Sequence, residues 1–249
     1  MERSGDRIRD MQSPQRVQFS LGGPTTPAVK VFLIGSAAAF FLQAVAQRLF
    51  GFPLEPWFGL VPALVTRRLF LWQPVTYLFL HDGLLHLAFN LLVLWMFGCE
   101  LERVWGGRFF VKYFFVCGTG AGIFVALMTS SSIVPTIGAS GALYGVLLAY
   151  GLLFPDRQIL LWFVLPIRAK HFVLFIGAIA FYSTLTLPGS GVSHLAHLSG
   201  LVIGYVYLRG WGHFRRLHRR YLEWKLRRLK KKFRVIDGGN DPDRPPYVH

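Results

Sequence analysis

Six apolar stretches leave this chain few ways to fold. They run from Val29 to Leu49, Leu84 to Leu101, Phe109 to Thr129, Ser140 to Phe154, His171 to Leu187 and Ser193 to Leu208. The hydrocarbon core of a bilayer is about 30 Å thick, and a helix needs roughly 20 mostly apolar residues to cross it. With 249 residues, 53% of them hydrophobic and 16% charged, the chain carries more apolar surface than one soluble core of this size can bury. The expected fold is an all-α polytopic membrane protein, a bundle of six transmembrane helices over residues 28–209. Arg3, Arg7, Arg9 and Arg16 precede the first stretch, and Ala44-Val45-Ala46 within it imitates a cleavage site. A cleavable signal would need a shorter lead and a shorter apolar run, so a retained first span is expected.

Charge sets the expected orientation. Lys and Arg number 5 up to Lys30, 3 from Arg48 to Arg68, 3 from Arg103 to Lys112, 3 from Arg157 to Lys170 and 13 from Arg209 onward, whereas the loops 130–139 and 188–192 have none. The positive-inside rule then places both termini in the cytoplasm, with helices two, four and six running from outside to inside. The net charge of +15 reads mainly as a topology signal, and no nucleic acid partner is expected.

Residues 1–27 are polar and rich in turn formers, which suits a mobile cytoplasmic lead-in. The long segment Gly51 to Gly83 combines Trp57, Phe58, Trp72, Tyr77 and Phe79 with four prolines and is expected to be a partly embedded outer loop. Ile159 to Leu165 is apolar but too short to cross and is assigned to the inner interface. In the tail, residues 210–249, Trp211, Phe214, Leu217, Tyr221 and Trp224 recur at helical spacing among Lys and Arg. This describes a basic amphipathic cytoplasmic helix on an anionic inner leaflet, or a coiled-coil partner helix, followed by a disordered end. Cys99 and Cys117 fall inside expected spans and read as packing residues.

The fourth stretch is too short. Its fifteen residues reach only about 22 Å at 1.5 Å per residue, so its outer end lies roughly 8 Å below the surface of a core of about 30 Å. The non-helical backbone Pro135 to Ala139 that feeds it must then be buried in protein or line a water-filled cavity. Ser140 begins the helix, beside free backbone N–H groups that can hold an oxyanion; a purely structural reading makes it an N-cap. His197 lies about one turn into the sixth stretch, at comparable depth. Gly200 and Gly204 share its face, and Gly141 and Gly145 lie beside Ser140 and Tyr144. Such small residues let membrane helices approach closely, bringing an imidazole within reach of the Ser140 hydroxyl. Helix two contributes His86 and Asn90 at matching depth, donors that suit an oxyanion hole or, structurally, helix-to-helix glue. Because no span carries a central Asp or Glu, the imidazole is expected to be oriented by packing on Tyr144.

These residues resemble the motifs of rhomboid intramembrane serine proteases, over about Trp72 to Leu208. The likeness rests on His86-x-x-x-Asn90, Gly138-Ala139-Ser140-Gly141 and Ala196-His197-x-x-Gly200-x-x-x-Gly204, in order and on alternate helices. The resemblance implies Ser140 as nucleophile, His197 as base, His86, Asn90 and the Ser140 amide as oxyanion donors, and Tyr144 as support for the histidine. It further implies a structural role for His81, a polar turn at Glu102-Arg103, and lateral substrate entry beside helix five near Phe172, Phe175 and Phe181. The first loop lacks the Trp-Arg pair that the family often carries. The family cleaves single-pass membrane proteins near their outer ends, so an integral protein of the cell (inner) membrane, its site open to the outer face, is expected. No cofactor or metal is implied.

Two other classes fit these residues less well. A metalloprotein ligated by His194, His197 and His81 or His86 lacks nearby carboxylates and a His-Glu-x-x-His helix. A catalytically silent chaperone or adaptor has no need of both Ser140 and His197.

Overall fold

The computed structural model describes residues 23–161, 164–186 and 194–210. Four of its helices are long and apolar enough to cross a membrane: Pro27–Phe50, Leu84–Trp105, Gly107–Met128 and Ala169–Thr186. In chain order the helices are α1 (Pro27–Phe50), α2 (Glu55–Phe58), α3 (Pro62–Arg68), α4 (Gln73–Thr76), α5 (Leu84–Val93), α6 (Cys99–Trp105), α7 (Gly107–Met128), α8 (Ser140–Leu153) and α9 (Ala169–Thr186). A tenth, α10, is helical over 194–210. The π-turn Leu94–Gly98 joins α5 and α6 into one rod. Residues up to Tyr207 belong to one compact unit; of the second, Leu208–His249, only 208–210 are described, as helix.

The expectation of an all-α protein is corrected to a mostly helical one. Between α8 and α9 the chain forms an antiparallel hairpin, β1 (Gln158–Leu161) with β2 (Leu165–Arg168), in the register Gln158 to Arg168 and Leu161 to Leu165. The apolar run there is too short to gain from a helix, and ladder pairing satisfies its backbone instead. The long first loop is likewise more ordered than its punctuation suggests. Pro56, Pro62 and Pro74 each sit in the first turn of a short helix, where a missing N–H costs nothing. The fully buried Gln73 holds these turns together, its Oε1 accepting from the Val61 N–H at 3.0 Å and its Nε2 donating to the Pro56 carbonyl at 3.0 Å.

Helices occupy the six expected stretches to within a few residues where they are described, and four of them are long and apolar enough to cross a membrane. The second runs on to Trp105, and the fourth is a helix of 14 residues, Ser140–Leu153. The ends of the fifth and sixth at Leu187 and Ser193, the lead-in 1–22 and the tail from Trp211 lie outside the described residues. α7 is the central helix, burying Phe110, Tyr113, Phe114 and Cys117. α1 and α9 instead turn Val31, Ile34, Phe41, Leu174, Phe175 and Phe181 outward. Such apolar faces suit acyl chains rather than water. Both cysteines are free and buried.

The start of α1 is held by a residue 73 to 76 positions away. Glu102, 5% exposed, accepts from the Thr26 hydroxyl at 2.5 Å and from the Ala28 and Val29 N–H groups at 2.9 Å each. It acts as the missing N-cap, since Thr26 makes no side-chain cap bond of its own. Arg103 also bonds the Pro24 carbonyl. We expect Glu102→Leu to lower stability by about 3 kcal/mol, because buried donors lose a charged acceptor, and Thr26→Val to cost about a third of that. Thermal melting in detergent checks both; a Glu102→Leu protein that melts with the wild type would contradict the capping role.

Candidate active site

The site begins with a glycine. Gly138 has φ +112°, a conformation that side-chain-bearing residues rarely adopt, and its N–H donates to the Tyr77 carbonyl at 2.9 Å. A Cβ there would lie 2.7 Å from His86 Nε2 and 3.5 Å from Asn90 Nδ2. Two polar nitrogens therefore converge on the space that the missing side chain leaves open. The chain then turns through Ala139, which caps α8 with helical angles, and Ser140 is the first helical residue.

Ser140 does not cap its helix through its side chain. Its Oγ lies 2.7 Å from His197 Nε2 on α10, so the hydroxyl donates to the ring when Nε2 is bare. The His197 ring stacks flat on Tyr144, one turn along α8, with centroids 4.4 Å apart and planes 4° apart. Among the described residues no carboxylate forms an ion pair with His197. Its ring plane is set by an aromatic face.

This pairing depends on how closely α8 and α10 approach. A Cβ on Gly200 would stand 1.9 Å from the Gly141 carbonyl oxygen, and one on Gly204 3.2 Å from the Gly145 Cα. Tyr113 on α7 fastens the same level by donating its hydroxyl to the Gly145 carbonyl at 2.8 Å. One turn earlier, Tyr77 donates to the Gly118 carbonyl at 2.8 Å.

On α5, Asn90 is buried, and among the described residues its Nδ2 has no hydrogen-bond partner. A buried amide donor left without an acceptor is costly. His86 accepts from the Asp82 N–H at Nδ1, at 3.4 Å, which makes Nε2 the protonated nitrogen of the neutral ring. His81 sits against it edge-on, with ring centroids 5.2 Å apart. His81 is fully buried, and this burial, with His86 beside it, pushes its pKa down to about 4 against an opposing bond to the Phe79 carbonyl.

The structure thus brings Ser140 to His197, His197 to Tyr144, and His86 and Asn90 to Gly138, while Gly141 and Gly145 pack against Gly200 and Gly204. His194 meets the His197 ring edge-on, with centroids 6.1 Å apart. Among the described residues no three His, Cys, Asp or Glu side chains are arranged to hold a metal ion. Sequence reasoning did not find the tyrosine clamps or Gln43, a buried polar residue within the first span. Its polarity at that depth was the available signal.

A multi-span helical protein with a hydroxyl and an imidazole paired between two glycine-packed membrane helices defines the class. The rhomboid domain model matches residues 68–214, more than half of the chain, and the chain belongs to the rhomboid family. It is 34% identical over 138 residues to rhomboid protein 1, mitochondrial, of Saccharomyces cerevisiae, covering 53% of this chain and 39% of that protein. It is 34% identical over 135 residues to the rhomboid protease GluP of Bacillus subtilis, covering 54% and 25%. Rhomboid-related protein 1 of Caenorhabditis elegans is 32% identical over 149 residues, covering 55% and 38%. The matched part thus spans less than two-fifths of each of these three relatives.

We expect Gly200→Ala to cost about 3 kcal/mol, since backbone oxygen cannot move aside as a flexible side chain does. Gly35→Ala, whose Cβ would meet only a Phe79 ring atom at 3.9 Å, is the control. Equal melting temperatures for the two variants would refute the close packing. His81 adds a pH dependence. Its folded pKa lies below the ordinary 6.5, so the unfolded chain takes up the proton first as pH falls. Its contribution is fully present above about 6.5 and is lost as pH falls toward 4. His81→Asn should therefore show a smaller drop in melting temperature between pH 7.5 and 4.5 than the wild type; an equal drop would count against the buried neutral ring.

Proposed function

We propose that this rhomboid protein is an intramembrane serine endopeptidase working through a Ser140–His197 dyad. The observation that carries the reading is the 2.7 Å contact between Ser140 Oγ and His197 Nε2, beside two nitrogens that converge on Gly138. His197 Nε2 takes the hydroxyl proton as Oγ bonds to the scissile carbonyl carbon. The developing oxyanion is received by Asn90 Nδ2, His86 Nε2 and the Ser140 N–H, the last supplied free of helical partners by the start of α8. His197 then gives its proton to the departing amine. A water molecule, deprotonated by the same ring, attacks the acyl-enzyme ester and restores the hydroxyl. Tyr144 holds the ring in plane throughout.

The substrates proposed are single-pass membrane proteins cut near their outer ends, where an unwound segment presents its carbonyl to Ser140. Entry beside α9 suits a helix that turns Phe175 and Phe181 outward. We place both termini in the cytoplasm, from the distribution of Lys and Arg, and the site toward the outer face of a cell membrane. In this reading residues 28–209 are the protease domain, 1–27 a cytoplasmic lead-in, and 210–249 a basic segment on the anionic inner leaflet.

A fluorophosphonate probe in detergent tests the dyad. Labelling should be lost in Ser140→Ala and His197→Ala and unaffected by EDTA, and Asn90→Ala should slow it about a hundredfold. Labelling that survives Ser140→Ala would refute the nucleophile, and EDTA-sensitive proteolysis would point to a metal.

A further inference from the structure

Gln43 lies in α1, 7% exposed, and no step of the proposed chemistry uses it. Both ends of its amide are nevertheless engaged. The His81 N–H donates to Gln43 Oε1 at 3.2 Å, and Gln43 Nε2 donates to Glu55 Oε1 at 2.5 Å. A backbone N–H can only donate and a carboxylate can only accept, so one orientation of the amide satisfies both and the flipped one satisfies neither. A polar side chain in a membrane span is costly unless its partners are held in place. Here they come from two later segments, Glu55 at the start of α2 and His81 just before α5.

His81 carries this restraint to the pocket. Its backbone is pinned by Gln43, its Nδ1 lies 3.1 Å from the Phe79 carbonyl, and its ring packs edge-on against His86 at 71°. His86 is held on its other side by the Asp82 N–H, and its Nε2 faces the space beside Gly138. A line of contacts therefore runs Glu55, Gln43, His81, His86 from the first loop through α1 to the donor side of the pocket.

Resting on the serine-protease reading, the geometry points to Gln43 as a positioning residue for the oxyanion pocket: it ties the His81 backbone to α1 and thereby fixes where the His86 ring stands. Glu55 orients Gln43. The inference concerns geometry at the transition state, where a displacement of about 1 Å can cost a hundredfold in rate.

The test is the second-order rate of fluorophosphonate labelling of the full chain in detergent, measured across pH together with Tm. Gln43→Leu should label about tenfold to a hundredfold more slowly, with the pH midpoint of the rate unchanged because the base is untouched. Gln43→Glu sets two carboxylates face to face and should also be slow. Adding Glu55→Gln remakes the bond between the two side chains with donor and acceptor exchanged, while the carboxylate at position 43 still accepts from the His81 N–H, and should return most of the wild-type rate. Should Gln43→Leu fail to fold, the single and double exchange variants carry the comparison. Ser140-dependent labelling at the wild-type rate in Gln43→Leu, or a double variant whose Tm recovers while its rate does not, would overturn the positioning role. Wild-type labelling that persists in Ser140→Ala would instead overturn the protease reading on which it rests.

Discussion

The structure turns on the contact between α8 and α10. At Gly141 and Gly200 the two backbones touch so closely that a single methyl group would stand 1.9 Å from a carbonyl oxygen. Without the hydrophobic effect to drive helices together in lipid, close backbone contact is what makes such association favourable. The same closeness sets the reach of the side chains. Ser140 on one helix and His197 on the other meet at hydrogen-bond distance, and Tyr144 is left beside the imidazole as a flat wall. Larger residues at the crossing would separate the pair whatever the chemistry of the two side chains.

Several buried polar side chains of the bundle serve the backbone. Tyr77 and Tyr113 each donate to a carbonyl of a neighbouring helix, Gln73 closes the first loop, and Glu102 caps α1. Each supplies a partner to a group that lipid cannot hydrogen-bond. Asn90 Nδ2 is different: among the described residues this buried donor has no hydrogen-bond partner, and it lies beside the open space at Gly138.

Much of this could be read from the residues because a membrane span leaves so little freedom. Polar side chains are rare there, so Ser140, His197, His86 and Asn90 stood out, and the short fourth stretch fixed a depth at which they could meet. Glycine spacing supplied the face. What escaped reading depends on distant partners or on local backbone choice. Glu102 was legible as part of a polar turn, but nothing near it in sequence names Thr26 or Val29. Gln43 was passed over inside an apolar run, although its polarity marked it. The hairpin after α8 arose from a run with neither helical nor alternating pattern, and the proline-headed helices of the first loop were hidden by the punctuation that starts them.

Membership of the rhomboid family and a helical multi-span fold stand on the domain match and the helices themselves. The proposed chemistry asks more, namely that the open space beside Gly138 receives the oxygen that develops during attack on a carbonyl. The most direct measurement is a high-resolution structure of the fluorophosphonate adduct. If the proposed chemistry holds, phosphorus is bonded to Ser140 Oγ, with its oxygen within hydrogen-bond distance of Asn90 Nδ2 and His86 Nε2. An adduct on another residue, or an oxygen turned away from both nitrogens, would contradict it.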